Sequence, residues 1–359
     1  MMAGANAMTI VLMLLAGYSD RIDPAAHPMM ANAGLTFPLF FAANAAFLIF
    51  WLMAKPSRAL LPVAGMLLAY SPARLYCPVN IPSTPPEGSI KVLSYNVCNY
   101  DMWDDISQPC PVAEYVVKSE ADIVCLEEAG ACYSKLNKVD SIYAAHYQYR
   151  DTTFAANGGD MLCLLSRYPI VGKEKIHYAS DTNNSAAFSL KIGGDTVVVV
   201  VNHFESTCLS ADEKRGFSDM VKGDVRNASA KRESRSLLHK LASASARRAP
   251  QADAVASYVA QCKDKSVIVV GDFNDSPISY VHRTVARELT DCYVATATGP
   301  GISYRDKAIF VRIDNLMCSA DFTPYACKVD RTVKASDHYP IVCWLKKNAN
   351  AAKSEEKAR

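Results

Sequence analysis

Hydrophobic positions fall into two regimes along this chain. Over residues 1–71 they come in long uncharged blocks; beyond that they come in short β-branched runs, several of them ending in an acid, an amide or an imidazole. The first regime predicts membrane helices. Residues 3–19 are apolar and uncharged, and residues 33–53 hold 21 residues without a charge, which fits the ~20 needed to cross a bilayer. Lys55, Pro56 and Arg58 make a short basic turn, and the twelve apolar residues 59–70 read as the return arm of a hairpin. Residues 1–71 are therefore expected to form a membrane region with two or three transmembrane helices. A cleaved signal peptide is the competing reading of residues 3–19, set against the further apolar blocks that follow.

Residues 72–88 are rich in proline and read as a linker. Strands and helices then alternate over residues 89–346. Strands are predicted at 90–97, 122–126, 161–166, 188–192, 196–201, 266–270 and 338–345, with one more inside 308–319. Helices are predicted at 111–118, 134–145, 251–262 and 279–289. Gly193-Gly194-Asp195 joins two of the strands as a hairpin. The polar stretch 212–260 is expected to be helical between Gly216, Gly223 and Pro250, its only strong breakers. Within it, residues 214–248 hold ten Lys/Arg against three Asp/Glu, a candidate surface for anions beside a solvated-helix reading. The charged, Ala-rich tail 347–359 is expected to be disordered.

Composition adds little. The formal net charge is +2, so global charge selects no partner, and nothing in the sequence points to a protein partner. The twelve cysteines include no Cys-x-x-Cys pair, which argues against a zinc ribbon or a thioredoxin-like site. Cys125, Cys163 and Cys343 sit in apolar runs and read as small core residues.

The chemistry lies where the apolar runs end. The run 266–270 stops at Gly271 and is followed at once by Asp272, Asn274 and Asp275. Asn96 ends another strand in LSYNV, Glu128 another in IVCLEEA, and His203 another in VVNHFES. Asp314 lies in RIDNL, and Asp337 and His338 lie in ASDHYP. Six such segments argue for one convergent site. Carboxylate-rich oxygen donors with few basic partners call for a hard cation, Mg²⁺ or Mn²⁺, to hold an anionic substrate. A phosphoester fits. No P-loop, nucleophile elbow or His-Glu-x-x-His motif supports another chemistry.

With these motifs in this order, the sequence resembles the endonuclease/exonuclease/phosphatase superfamily, the DNase I-like fold. The resemblance covers residues 90–346 through LSYNV, DIVCLEE, NHFES, GDFND, RIDNL and SDHYPI. It implies an α/β, four-layer sandwich of two packed β-sheets flanked by helices. It also implies roles. Glu128 would be the main metal ligand, with Asn96 and Asp337 completing the metal site. Asp272 and Asn274 would orient or deprotonate the attacking water. His338, paired with Asp314, would act on the nucleophile or the phosphate, and His203 on the transition state or the leaving oxygen. Tyr304 and Arg305 are candidates for the substrate cleft. Two departures stand out. The family usually has Gln where this chain has Glu127, an extra acid expected to be solvated. Asn315 stands where nucleases often carry an aromatic, which weakens an argument for base stacking.

The N-terminal region likens the chain to membrane-anchored bacterial members. With Lys55 and Arg58 kept in the cytoplasm, the catalytic domain is expected on the non-cytoplasmic side of the inner membrane. The expected function is a membrane-anchored, divalent-metal-dependent phosphoester hydrolase acting on nucleic acid, phospholipid or inositol phosphate. The alternative is a catalytically silent membrane scaffold that binds phosphorylated ligands.

Overall fold

The structure is a computed structural model that describes residues 1–210, 212–215, 228–306 and 309–348, the side chains of 228–234 excepted. Fourteen strands are described: β1 Ile90–Asn96, β2 Ile123–Glu127, β3 Tyr149–Phe154, β4 Met161–Ser166, β5 Ile170–Ile176, β6 Asn184–Ile192, β7 Asp195–His203, β8 Ser266–Asp272, β9 Thr290–Asp291, β10 Tyr304–Asp306, β11 Ile309–Val311, β12 Asp314–Cys318, β13 Phe322–Val329 and β14 Ile341–Lys347. One six-stranded sheet runs β13-β14-β1-β2-β4-β3 and the other β5-β6-β7-β8-β12-β9, with β10-β11 as a separate ribbon. Only β1–β2 and β7–β8 pair parallel; the other pairings are antiparallel.

Alternation along each strand sorts the side chains into layers. Val92, Ile123, Cys125, Leu164, Phe188, Val199, Val201, Ile268, Val270, Leu316 and Ile341 face the space between the sheets. Leu93, Tyr95, Val124, Leu126 and Leu165 face outward, against helices Pro111–Ser119 and Tyr133–His146. Val198, Val200, Val267, Val269 and Met317 face outward on the second sheet, against Ala252, Val255 and Val259 of helix Ala228–Gln261. The result is a four-layer α/β sandwich with helices on both outer faces, as the family resemblance implies.

Five strands escape the sequence patterns, the short β9 and β10 among them. β3 and β5 carry mostly half-exposed or exposed residues, and β13 pairs across a bulge between Tyr325 and Lys328. Pro250 lies inside helix Ala228–Gln261 and does not end it, contrary to its reading as a breaker. The basic stretch 214–248 falls partly outside the described residues, as does the tail from 349.

At the N-terminus, helices Met2–Gly17, Phe37–Ala54 and Leu60–Leu68 lie against one another. The spans Met2–Arg21 and Pro28–Ala54 are long and apolar enough to cross a membrane, and most of their side chains face outward. Asn6, Asn44 and Trp51 are buried between them. Asn6 Nδ2 donates to Asn44 Oδ1 (3.1 Å), and Trp51 Nε1 donates to Asn6 Oδ1 (3.1 Å). Residues 70–76, at the start of the proline-rich stretch, form the helix Tyr70–Tyr76. Asn80 Nδ2 then donates to the carbonyls of Val294 and Ala297, so the first half of that stretch is pinned to the sandwich.

Candidate active site

The rows that face between the sheets change from apolar to polar at one end of the sandwich. Val92 is followed two residues on by Ser94 and then Asn96; Ile123 and Cys125 by Glu127; Val199 and Val201 by His203; Ile268 and Val270 by Asp272. On the strands that run the other way, Leu316 is preceded by Asp314, Phe188 and Ala186 by Asn184, and Leu164 and Leu162 by Asp160. Period two thus brings these side chains to one end of the core. Register brings them side by side: Asn184 pairs with His203, His203 with Asp272, and Asp272 with Asp314.

Gly271 makes the close approach of β7 and β8 possible. It has φ +125, and a Cβ there would stand 2.0 Å from the carbonyl oxygen of Asn202. Glu128 and Asn274 take left-handed φ of 49 and 51, as do Cys98, Asn99 and Tyr100 in succession. Such backbone is uncommon for residues other than glycine and collects at functional sites. It turns Glu128 off the end of β2, and the carbonyl of Glu128 accepts from the Asn99 N–H (2.8 Å).

Asp272 is fully buried. Its Oδ1 accepts from the Asn274 N–H (2.8 Å), and its Oδ2 from Asn96 Nδ2 (3.1 Å) and Asn274 Nδ2 (3.3 Å). Burial pushes its carboxyl above the usual range, with Asp314 adding to the effect against His338 and His203. His338 Nδ1 lies 2.9 Å from Asp314 Oδ2, and His338 Nε2 lies 3.6 Å from Asp272 Oδ2. Burial alone would lower this imidazole, but Asp314 foremost, then Asp272, outweigh it and hold it at about 10. His203 Nδ1 lies 3.1 Å from Asp160 Oδ1, as an ion-pair contact rather than an aligned hydrogen bond. Its Nε2 lies 3.5 Å from Glu128 Oε1 and 3.9 Å from Asp272 Oδ2. Here too burial opposes the charge, and Asp160, Glu128 and Asp272 together hold the imidazole well above its ordinary value.

Asn96 ties the two halves of the site. Its Nδ2 donates to Glu128 Oε1 (3.0 Å) as well as to Asp272, and its Oδ1 accepts from the Cys98 N–H (3.0 Å). That leaves it one oxygen lone pair to offer a cation. The Cys98 thiol is pushed up to about 12, by burial first and then by the Asp337 and Glu128 carboxylates, which flank it. Asp272, Asp314 and His338 also bring one ligand atom each within 4.8 Å of one another, near enough to hold an ion. The His338–Asp314 contact, however, already occupies Nδ1 of that imidazole. Tyr304 packs against His338 in a tilted arrangement, with ring centroids 4.9 Å apart and planes at 59°. Arg305 is exposed and lies over the Tyr339 ring. Asn315 is buried on the outward row and donates to the Ile313 carbonyl, so it does not face the site.

Glu127 corrects the sequence reading. It is fully buried rather than solvated, as the third member of the inward row 123/125/127. Ser94 Oγ donates to its Oε1 (2.8 Å). Burial first, then the Asp314 carboxylate, pushes the carboxyl well above its usual range. Asp160 was missed outright. It follows the turn Asn157-Gly158-Gly159 and opens the inward row 160/162/164, a period-two signal visible in the sequence; its Oδ2 accepts from Asn184 Nδ2 (2.7 Å).

A sandwich with this polar end defines a class, and sequence comparison names it. Residues 93–338 match the model described as the Endonuclease/Exonuclease/phosphatase family, and the chain belongs to that family. Residues 1–76 match a separate model, described as a domain of unknown function (DUF8431). Among solved structures, D. rerio TDP2 complexed with single strand DNA product is similar, with TM-score 0.52 and 16% identity over 73% of this chain and 100% of that one. The human Nocturnin catalytic domain with bound sulfate anion gives TM-score 0.51 and 16% identity over 74% of this chain and 97% of that one. A family protein from Bacteroides thetaiotaomicron gives TM-score 0.50 and 17% identity over 74% and 100%. At these identities the likeness is one of fold. A search of curated protein sequences found no match.

Proposed function

We propose that the chain is a membrane-anchored, divalent-metal-dependent phosphoester hydrolase. One observation carries the reading: His203, Asp272 and Asp314 stand in register across β7, β8 and β12, and His338 closes on the last two. This makes one buried carboxylate flanked by two imidazoles, each with its own acid partner. It is a layout for moving protons on both sides of a reacting centre.

The donor set fits a hard cation. Glu128, Asp160, Asp272, Asp314 and Asp337 surround two imidazoles, an excess of acid that would repel a phosphoester by itself. Glu128 keeps 29% of its side chain exposed, and with Asn96 and Asp337 it offers oxygen donors alone, which suit Mg²⁺ or Mn²⁺. A bound ion supplies charge compensation and polarises a phosphoryl oxygen.

The remaining steps belong to the chain. Asp272, with its basicity raised by burial, takes the proton of the attacking water, while Asn96 and Asn274 fix its orientation. His338, kept protonated at neutral pH by Asp314, donates to a phosphoryl oxygen. His203, kept protonated by Asp160, donates to the leaving oxygen. Tyr304 holds the face of His338, and Arg305 stands at the rim for the rest of the substrate. D. rerio TDP2 is complexed with single strand DNA product and the human Nocturnin catalytic domain holds a sulfate anion, so proteins of similar fold take phosphate-like oxyanions. Nucleic acid, phospholipid and inositol phosphate are the candidate substrates.

Anchoring is supported by the two apolar spans. Gly17, Phe37 and Tyr76 come at the end of the bundle that meets the sandwich, while Lys55 and Arg58 lie at the turn between the second span and helix Leu60–Leu68. With that basic turn in the cytoplasm, the sandwich lies on the non-cytoplasmic side of a bacterial inner membrane.

The test is hydrolysis by the full chain in nanodiscs, against DNA, RNA, phosphoinositide, sphingomyelin and a chromogenic phosphodiester. Activity that EDTA abolishes and Mg²⁺ or Mn²⁺ restores is expected, with loss in Asp272→Asn. Full activity in EDTA, or wild-type turnover in Asp272→Asn, overturns the assignment.

A further inference from the structure

The loop that follows Asp272 does not rest on the sandwich alone. Phe273 is buried in the sandwich's own outer core, but Ile278, six residues after Asp272, is buried in a different cluster. That cluster consists of Met13, Ala16, Phe37 and Ala69, all from the N-terminal helices. Gly34 closes the socket: a Cβ there would stand 2.2 Å from the Ile278 carbonyl oxygen and 2.9 Å from its Cγ2. The strand beside β8 is tied in the same way. Arg312, two residues before Asp314 and 2% exposed, donates to the Leu75 carbonyl (2.6 Å) and lies over the Tyr293 ring at 4.5 Å. Asp272 and Asp314 are direct register partners, so each is one short segment away from an N-terminal helix.

We propose that Ile278 and Arg312 are positioning residues through which the N-terminal helices hold the Asp272–Asp314 pair, so that the helical region is a working part of the active site as well as an anchor. The inference rests on the hydrolase reading and adds a role for residues outside the sandwich. Its physical basis is the loop itself. The segment 272–278 has an apolar peg at each end, and only one of them is in the sandwich. With the second peg out of its socket, Asn274 keeps its bond to the Phe204 carbonyl and Asp275 its ion pair with Arg248, but the loop loses its apolar hold on the helix side, and the water-positioning carboxylate loses one side of its support. A displacement of about 1 Å at a reacting centre can cost on the order of 10²-fold in rate.

The experiment uses the full chain in nanodiscs and whichever phosphoester the wild type hydrolyses. Gly34→Ala forces the socket against Ile278; Ile278→Val and Ile278→Ala shrink the peg without a clash. Gly4→Ala is the control, because a Cβ at Gly4 meets nothing within 4 Å. The expected result is a kcat roughly 10- to 100-fold lower in Gly34→Ala and Ile278→Ala, with KM within about threefold of wild type. Ile278→Val should retain most of the wild-type kcat, and Gly4→Ala all of it. Amide exchange over residues 273–279 should quicken in the two impaired variants while β7 and β8 stay protected. If Gly34→Ala does not fold, the Ile278 series decides alone. Wild-type kcat in a folded Ile278→Ala, or a loss confined to KM, overturns the positioning role and leaves the hydrolase reading standing. A wild-type protein with no EDTA-sensitive hydrolysis overturns the hydrolase reading, and the positioning role falls with it.

Discussion

Gly271→Ala is the sharpest probe of how the fold makes the site. The new Cβ would stand 2.0 Å from the Asn202 carbonyl oxygen, 2.8 Å from its nitrogen and 2.9 Å from its carbonyl carbon, all backbone of β7. No rotamer change relieves such contacts, so β7 and β8 must part until the first distance reaches roughly 3.0 Å, a shift of about 1 Å. The φ of +125 adds strain, since side-chain-bearing residues hold such angles at a cost of about 1–3 kcal/mol. At about 2–4 °C per kcal/mol for a domain of this size, the strain alone lowers Tm by about 2–12 °C. The catalytic effect should be larger. Asn202 and Gly271 are register partners, and the next pair along is His203 and Asp272. Parting the strands at one pair moves the next, and a shift of about 1 Å there should cut kcat on the order of 10²-fold. Gly193→Ala separates the two effects. It carries φ +57 with nothing within 4 Å of the new Cβ, so it should lower Tm modestly and leave kcat unchanged. Thermal unfolding and steady-state kinetics on the two variants side by side give the answer. A folded Gly271→Ala with kcat within twofold of wild type would refute the claim that this strand spacing sets the catalytic geometry.

His338→Asn should lower kcat by about 10²–10⁴-fold, whereas Tyr304→Phe, which keeps the ring packed against His338 and loses only the hydroxyl bonded to Lys214, should cost less than about tenfold; equal losses in the two would remove the special place given to the imidazole. Away from the metal-type donors, Asp291 is pushed up by burial but pulled further down by the His282 hydrogen bond and the Arg312 charge, so its folded value lies below the ordinary one. Its contribution to stability is therefore full above the unfolded value of about 3.9 and is lost as pH falls through the folded value. His282→Asn should lower Tm at neutral pH and flatten its decline under acid, and parallel Tm-against-pH curves would contradict the pairing. In the apolar bundle, Asn44→Leu removes the partner of Asn6 and should weaken the helix assembly by about 0.6–2 kcal/mol, read as earlier unfolding in SDS titrations; an unchanged midpoint would mean the buried amides contribute nothing.

How far the sequence carries the fold depends on how each strand is buried. β4, β7 and β8 are apolar on both faces, because both faces are covered, and such runs announce themselves. β3 and β5 sit at sheet edges with exposed faces, and β13 spends its pairing on a bulge, so none of them leaves a periodic signal. The site follows the same rule at finer grain. Asn96, His203 and Asp272 each end an apolar run, so the run points to them, while Asp314 opens β12 but sits in RIDNL inside a stretch already read as strand. Asp160 opens its run instead of ending it, and a reading that looks for polar residues after strands passes over it, although positions 160, 162 and 164 share one face. Glu127 and Glu128 show where residue order alone fails. Neighbours on a strand point to opposite faces, so one of two adjacent acids had to go inward, and nothing in the pair itself says which. The left-handed turn at Glu128 decides it by lifting that residue off the strand and leaving Glu127 as the last member of the buried row. Ile278 is harder still, because its socket is made by residues more than two hundred positions away, and no local pattern carries the information that a loop beside the active site is held by the helices at the start of the chain.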